Sequence, residues 1–227
     1  MPEIHQTGPE ELFLSSAEKL EKMRSILAGI QQSVVEIKDF PEQDVRKRFI
    51  IDEINSNMAE LVIHYQTIPF GAFNVREHSI FALLNYQNCD NLESLLLNVT
   101  QALGVVEYKS ERENTPVNNF HQISYLKIIN LLQSFITQPS FEKLIELYKV
   151  TSSYLLTDLP QPFSPMQKQK YELCISFNIK LSEHIVEILN CGPGYMHTNS
   201  IYIMEGFWRT FNEFFRESGS KTDYGAN

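Results

Sequence analysis

Apolar residues recur along most of this chain in steps alternating between three and four, the spacing that gathers them on one face of an α-helix. The first such row is Phe13, Ala17, Leu20, Met23, Leu27, Ile30, Val34 and Ile37. It predicts a helix from about Pro9 to Lys38, with Glu18 and Lys22 as an i,i+4 pair on the wet side. Asp39, Pro41 and Glu42 then carry the marks of a new start: a cap, a first-turn proline and a capping-box acid. The second helix has Ile51, Ile54, Met58, Leu61 and Tyr65 as its row. It is expected to stop at Thr67-Ile68-Pro69, because the residue before a proline is pushed out of helical geometry.

Asn74 with Glu77 opens a short third helix, and Asp90 with Glu93 a fourth that Gly104 is expected to end. The charged, unpatterned stretch after it makes residues 109–115 the candidate for an exposed loop or subdomain boundary. The fifth helix, about 116–138, holds a single formal charge, Lys127, and apolar residues around most of its circumference. A helix apolar nearly all round must be surrounded by others, so it is expected at the centre. A sixth helix follows from about Ser140 to Thr157, then a proline-rich connector. Ser164, Pro165 and Gln167 start the seventh helix, and Cys191-Gly192-Pro193-Gly194 stops it. The eighth spans about 200–217, and 218–227 reads as a flexible tail. Only Val105–Tyr108 and Ile201–Met204 have any strand character. The fold class is therefore all-α: a single compact domain of about eight helices over residues 1–217.

The last helix is the densest feature. Met204, Phe207, Trp208, Phe211, Phe214 and Phe215 fall on one face. Five aromatic rings at roughly 200 Å² each come to about 1,000 Å², more than a monomer leaves in one exposed patch. The face must be covered, either by the protein's own core or by a groove or second subunit. Phe207, Trp208, Phe211, Phe214 and Phe215 are accordingly the interaction candidates.

Charge narrows the partners. A net −9 disfavours nucleic-acid backbones and anionic membranes. The one basic run, Arg46-Lys47-Arg48, is spread around its helix instead of sharing a face. No apolar run approaches the ~18 residues of a membrane span, and the first residues lack the pattern of a signal peptide. Cys89, Cys174 and Cys191 are odd in number and without C-x-x-C spacing, which fits a reducing compartment. The expected location is the cytoplasm, or a host cytosol reached by a signal-peptide-independent route.

Known motifs are missing: H-E-x-x-H, G-x-S-x-G, the P-loop, G-x-G-x-x-G, and the Glu-x-x-His of di-iron bundles. No metal and no cofactor is expected. Two weak polar pairs remain. His184 and Glu187 stand i,i+3 on the seventh helix, where a carboxylate could orient an acid–base imidazole. Glu60 and His64 stand i,i+4 on the second. The plain alternative for each is a boundary histidine bonded to its neighbour. Pro162-Phe163-Ser164-Pro165 reads as a connector and Gly192-Pro193-Gly194 as a turn. In length, acidity, helix count and aromatic last helix the chain resembles haem-oxygenase-like folds, including thiaminase-type enzymes, with Glu205-Gly206-Phe207-Trp208 as the local echo. That resemblance is architectural and implies no functional residue.

The expected function is a non-enzymatic interaction protein that binds another protein through a groove or loop, with homo-oligomerisation compatible. The first alternative is a helical enzyme or carrier with an apolar small-molecule pocket. The second is a secreted effector or regulator acting on a host protein.

Overall fold

Most helices of the chain begin at a side-chain cap. The computed structural model describes residues 14–38, 40–41, 43–87, 89–112, 117–156, 164–192 and 199–220. Within them lie eight α-helices: α1 (Ser16–Ile37), α2 (Val45–Thr67), α3 (Val75–Tyr86), α4 (Leu92–Arg112), α5 (Val117–Thr137), α6 (Phe141–Leu156), α7 (Pro165–Cys191) and α8 (Asn199–Ser220). Ser15–Glu18, Asn74–Glu77 and Ser164–Gln167 form complete capping boxes, each satisfying a backbone N–H at both ends of the motif. Gly192 ends α7 at φ 86°, a conformation that side chains resist.

Several expected boundaries move. The first helix starts at Ser16, capped by Ser15; the start expected at Pro9 lies outside the described residues. The second is capped by Asp44, whose side chain accepts from the Arg46 N–H, so it starts later than Asp39 implied. Asp39 and Glu42 are themselves outside the described residues. Asn91, not Asp90, caps α4 through the Ser94 N–H. Gly104 does not end that helix, which runs on to Arg112 and makes Val105–Tyr108 helical. Residues 109–112 therefore belong to α4, and 113–116 lie outside the described residues. Ile201–Met204 is also helical, in α8, and that helix continues to Ser220. The rest of the expected tail, 221–227, is outside the described residues, as are most of the connector before α7 and the residues just after Gly192.

The eight helices close into two rings of four. In the first, α1 packs on α2, α2 on α3, α3 on α4, and α4 back on α1. In the second, α5 packs on α6, α6 on α7, α7 on α8, and α8 back on α5. Helix α4 joins the rings by packing on α6 and α7. One continuous apolar core runs through both, so the molecule is a single domain.

The middle is therefore held by α4 and α6, and α5 does not sit at the centre as expected. It packs on α6 and α8, leaving Ile123 52% exposed. Its outer side carries Gln122, Asn130, Gln133 and Ser134. These neutral polar residues supply a wet face that a count of formal charges does not register. In α4 and α6, Leu96, Val99, Val106, Leu144 and Leu147 have no exposed surface.

The seam between α4 and α6 mixes packing with polar ties. The Gln101 side-chain amide donates to the Tyr148 hydroxyl at 2.7 Å, and the Ser153 hydroxyl to the Gly104 carbonyl at 3.1 Å. Lys149 Nζ bridges Glu107 at 2.9 Å and Glu146 at 2.7 Å.

Candidate functional site

The aromatic face of α8 turns mostly inward. Met204 and Phe211 are completely buried, while Phe207, Trp208, Phe214 and Phe215 are half-buried against the core. Phe177 of α7 meets Phe207 at 4.8 Å and Phe211 at 5.3 Å between ring centroids. Tyr125 of α5 donates its hydroxyl to the Phe211 carbonyl at 3.3 Å. Ring–ring contacts of this kind hold α8 in the second ring of helices. Phe211 has no surface to offer a partner.

The two polar pairs have different surroundings. His64 is 2% exposed, and its Nε2 makes no hydrogen bond. Glu60 Oε1 stands 3.6 Å from that nitrogen and 3.3 Å from Lys22 Nζ on α1. The carboxylate thus serves a surface ion pair more than the imidazole.

His184 is better placed. Its Nδ1 lies 3.1 Å from Glu187 Oε2, and its Nε2 meets the Ser200 hydroxyl in the first turn of α8. The sequence offers no sign of Ser200, because sixteen residues and a change of helix separate it from His184. Serine, imidazole and carboxylate in line is the order of a nucleophile, its base and the group that orients the base. Catalysis also needs a substrate at the hydroxyl, and Ser200 has 0% exposure. In this conformation the chain of bonds satisfies a buried imidazole and ties α8 to α7.

A comparable tie lies in the first ring. Glu77 is fully buried on α3, where its Oε2 accepts from the Asn74 N–H at 2.7 Å and pairs with Lys109 Nζ of α4 at 2.8 Å. A recess between α4, α5 and α6 is bordered by Glu107, Tyr108, Lys127, Lys149 and Ser153. Lys149 is matched to Glu107 and Glu146, and Lys127 to Glu146 at 3.5 Å, while Glu111 also lines the recess. Burial pulls the Lys149 ammonium down, but the two carboxylates outweigh it and keep the lysine firmly charged. Among the described residues no three His, Cys, Asp or Glu side chains gather at a metal-binding distance. Cys174 is buried and Cys191 exposed, and all three thiols are free.

Exposed large apolar side chains stand on α3 (Val75, Leu83 and Tyr86), on α8 (Tyr202) and on α2. Val45 is 68% exposed and Phe49 69% exposed. They head a row of Val45, Phe49, Asp52, Ser56, Ala59 and Ile63, in steps of four, three, four, three and four. This row faces away from Ile54 and Leu61, the residues with which α2 enters the core. Asp52, Ser56 and Ala59 are exposed and Ile63 is half-buried. Arg46 pairs with Asp44 at 2.6 Å and lies 4.4 Å over the Phe40 ring. The inner row, from Ile51 to Tyr65, accounts only for the side of α2 that enters the core. The available signal for the outward row was Val45 and Phe49, apolar and four residues apart on the side opposite the inner row, where a surface helix is normally polar.

No family model, curated protein or solved structure matches the chain.

Proposed function

We propose that this chain is a non-enzymatic helical interaction protein that holds a partner helix against the outward row of α2. The exposure of Val45 and Phe49, at the head of a row spaced in alternating threes and fours, carries the reading. That spacing is what a second helix needs to seat its own side chains between those of the first. Ser56 and Ala59 leave room in the middle of the row for larger residues from a partner. A net charge of −9 favours a protein over a phosphate backbone. A small-molecule enzyme has less support, since the Ser200 hydroxyl is enclosed and both lysines bordering the recess are held by Glu107 and Glu146.

The test is a photo-crosslinking side chain installed in place of Phe49, with the same group in place of Gln122 on α5 as control. The expected result is a crosslink at position 49, mapped by mass spectrometry to one helical segment, and none above background at position 122. Equal or absent crosslinking at the two positions would overturn the proposal.

A further inference from the structure

The outward row of α2 is complementary to itself. We infer that its partner is a second copy of this chain, packed with the two α2 helices antiparallel about a two-fold axis between Asp52 and Ser56. The inference rests on reading that row as a docking face.

The register follows from residue size and charge. Residues 45 to 63 cover about 27 Å of helix at ~1.5 Å per residue. In an antiparallel pair, each residue of the row faces one whose number mirrors its own about the axis. Val45 then meets Ile63 of the second copy, and Phe49, the largest residue of the row, meets Ala59, the smallest. Asp52 meets Ser56, whose hydroxyl can donate to the carboxylate. On one flank Arg46 faces Glu60, twice by symmetry. Both groups are at the surface, their side chains 69% and 43% exposed. Each would be shared with a present partner, Arg46 with Asp44 and Glu60 with Lys22. Glu53 faces its own copy once on that flank, close to the axis, against these two favourable pairs. The opposite flank sets Arg48 over Val62, where the guanidinium's apolar stem can lie.

A parallel pair fails on the same residues. It would set Asp52 against Asp52 in the seam and Phe49 against Phe49, while Ala59 against Ala59 left a gap. Like charges buried opposite one another and mismatched volumes both oppose association. The fold leaves most of the seam open, with Ile63 half-buried, because α2 enters the core by Ile54 and Leu61 on its other side.

Two measurements test the pairing on the full chain. In light scattering across a broad concentration range, the expected mass rises from 26.3 kDa to twice that value. Phe49→Glu should raise the dissociation constant at least about tenfold, with helicity unchanged and with Tm unchanged in samples dilute enough to be monomeric. Disulfide trapping reads the register, in chains that also carry Cys191→Ser to remove the exposed thiol. Mixing Asp52→Cys chains with Ser56→Cys chains should give a linked pair. Neither alone should link, because the symmetric Cα pairs lie beyond the ~7 Å disulfide reach. Efficient linking of Asp52→Cys chains alone would overturn the antiparallel register. A dimer indifferent to Phe49→Glu, or a mass fixed at 26.3 kDa, would overturn the self-pairing. In that last case a crosslink from position 49 to a different protein's helix leaves the docking face standing. No crosslink at all removes both.

Discussion

Gly104 of α4 lies so close to Lys149 of α6 that a methyl group on its Cα would stand 2.8 Å from the Lys149 carbonyl oxygen. The next nearest atoms are Lys149 Cγ at 3.2 Å and Ser153 Cβ at 3.3 Å. The obstacle is backbone, which cannot swing aside as a side-chain tip can. The glycine therefore sets the distance between the helices that join the two rings. Gly104→Ala should destabilise the chain by about 1–3 kcal/mol despite the better helix propensity of alanine. Urea unfolding followed by circular dichroism measures this, and an unchanged or higher midpoint would show that the seam can widen freely.

His184 and Ser200 should behave as a structural pair. Ser200→Ala leaves His184 Nε2 buried without its partner and should cost about 1–3 kcal/mol. Adding His184→Leu to that variant removes the stranded group and should restore most of the loss. A double-mutant cycle on unfolding free energies makes the comparison. Strict additivity of the two losses would mean that the hydrogen bond contributes nothing.

Glu77 and Lys109 form the buried ion pair of the first ring. Glu77→Gln leaves the ammonium, 14% exposed and 5.9 Å from the Phe73 ring centroid, without its counter-charge. The expected loss is about 3–5 kcal/mol. Combining it with Lys109→Met should recover a large part, because no charge then remains in the interior. A chemical-denaturation series on the three variants decides whether the pair acts as a unit.

Alkaline pH should destabilise the protein through buried groups that resist ionisation. Burial pushes the Cys174 thiol and the Tyr125 and Tyr154 hydroxyls well above their ordinary ranges, and Tyr148 up to about 12. These groups stay protonated in the folded chain. In the unfolded chain they release protons near their ordinary values, about 8.5 for cysteine and about 10 for tyrosine. Their stabilisation is complete below those values and is lost as pH rises from them toward the folded values. The slope approaches about 1.4 kcal/mol per pH unit for each group that ionises only on unfolding. Melting curves of the native chain and Cys174→Ala should diverge in slope first, near the ordinary thiol value, before the tyrosines contribute. Parallel curves throughout would remove Cys174 from the account.

What the chain by itself determined was local. Capping boxes act within four residues, so Asn74–Glu77 and Ser164–Gln167 could be read directly, and the alternating rows of α1 and α7 mark which side turns inward. Apart from α4, which runs eight residues past its expected end at Gly104, the α-helices after the first were foreseen within a few residues for the same reason. Tertiary structure decided what depends on distant neighbours. Gly104 looked like a stop because a glycine weakens a helix locally, and only the backbone of α6 explains why it stands in mid-helix. The centre went to α4 and α6 because neutral polar residues of α5 hydrate its outer side. Ser200 joined His184 only once α8 had packed on α7. The outward row of α2 has the same spacing as a core row, since a helix presents both in the same way. Which of the two meets water is decided by where α1 and α3 pack, and that settles only when the ring of four closes.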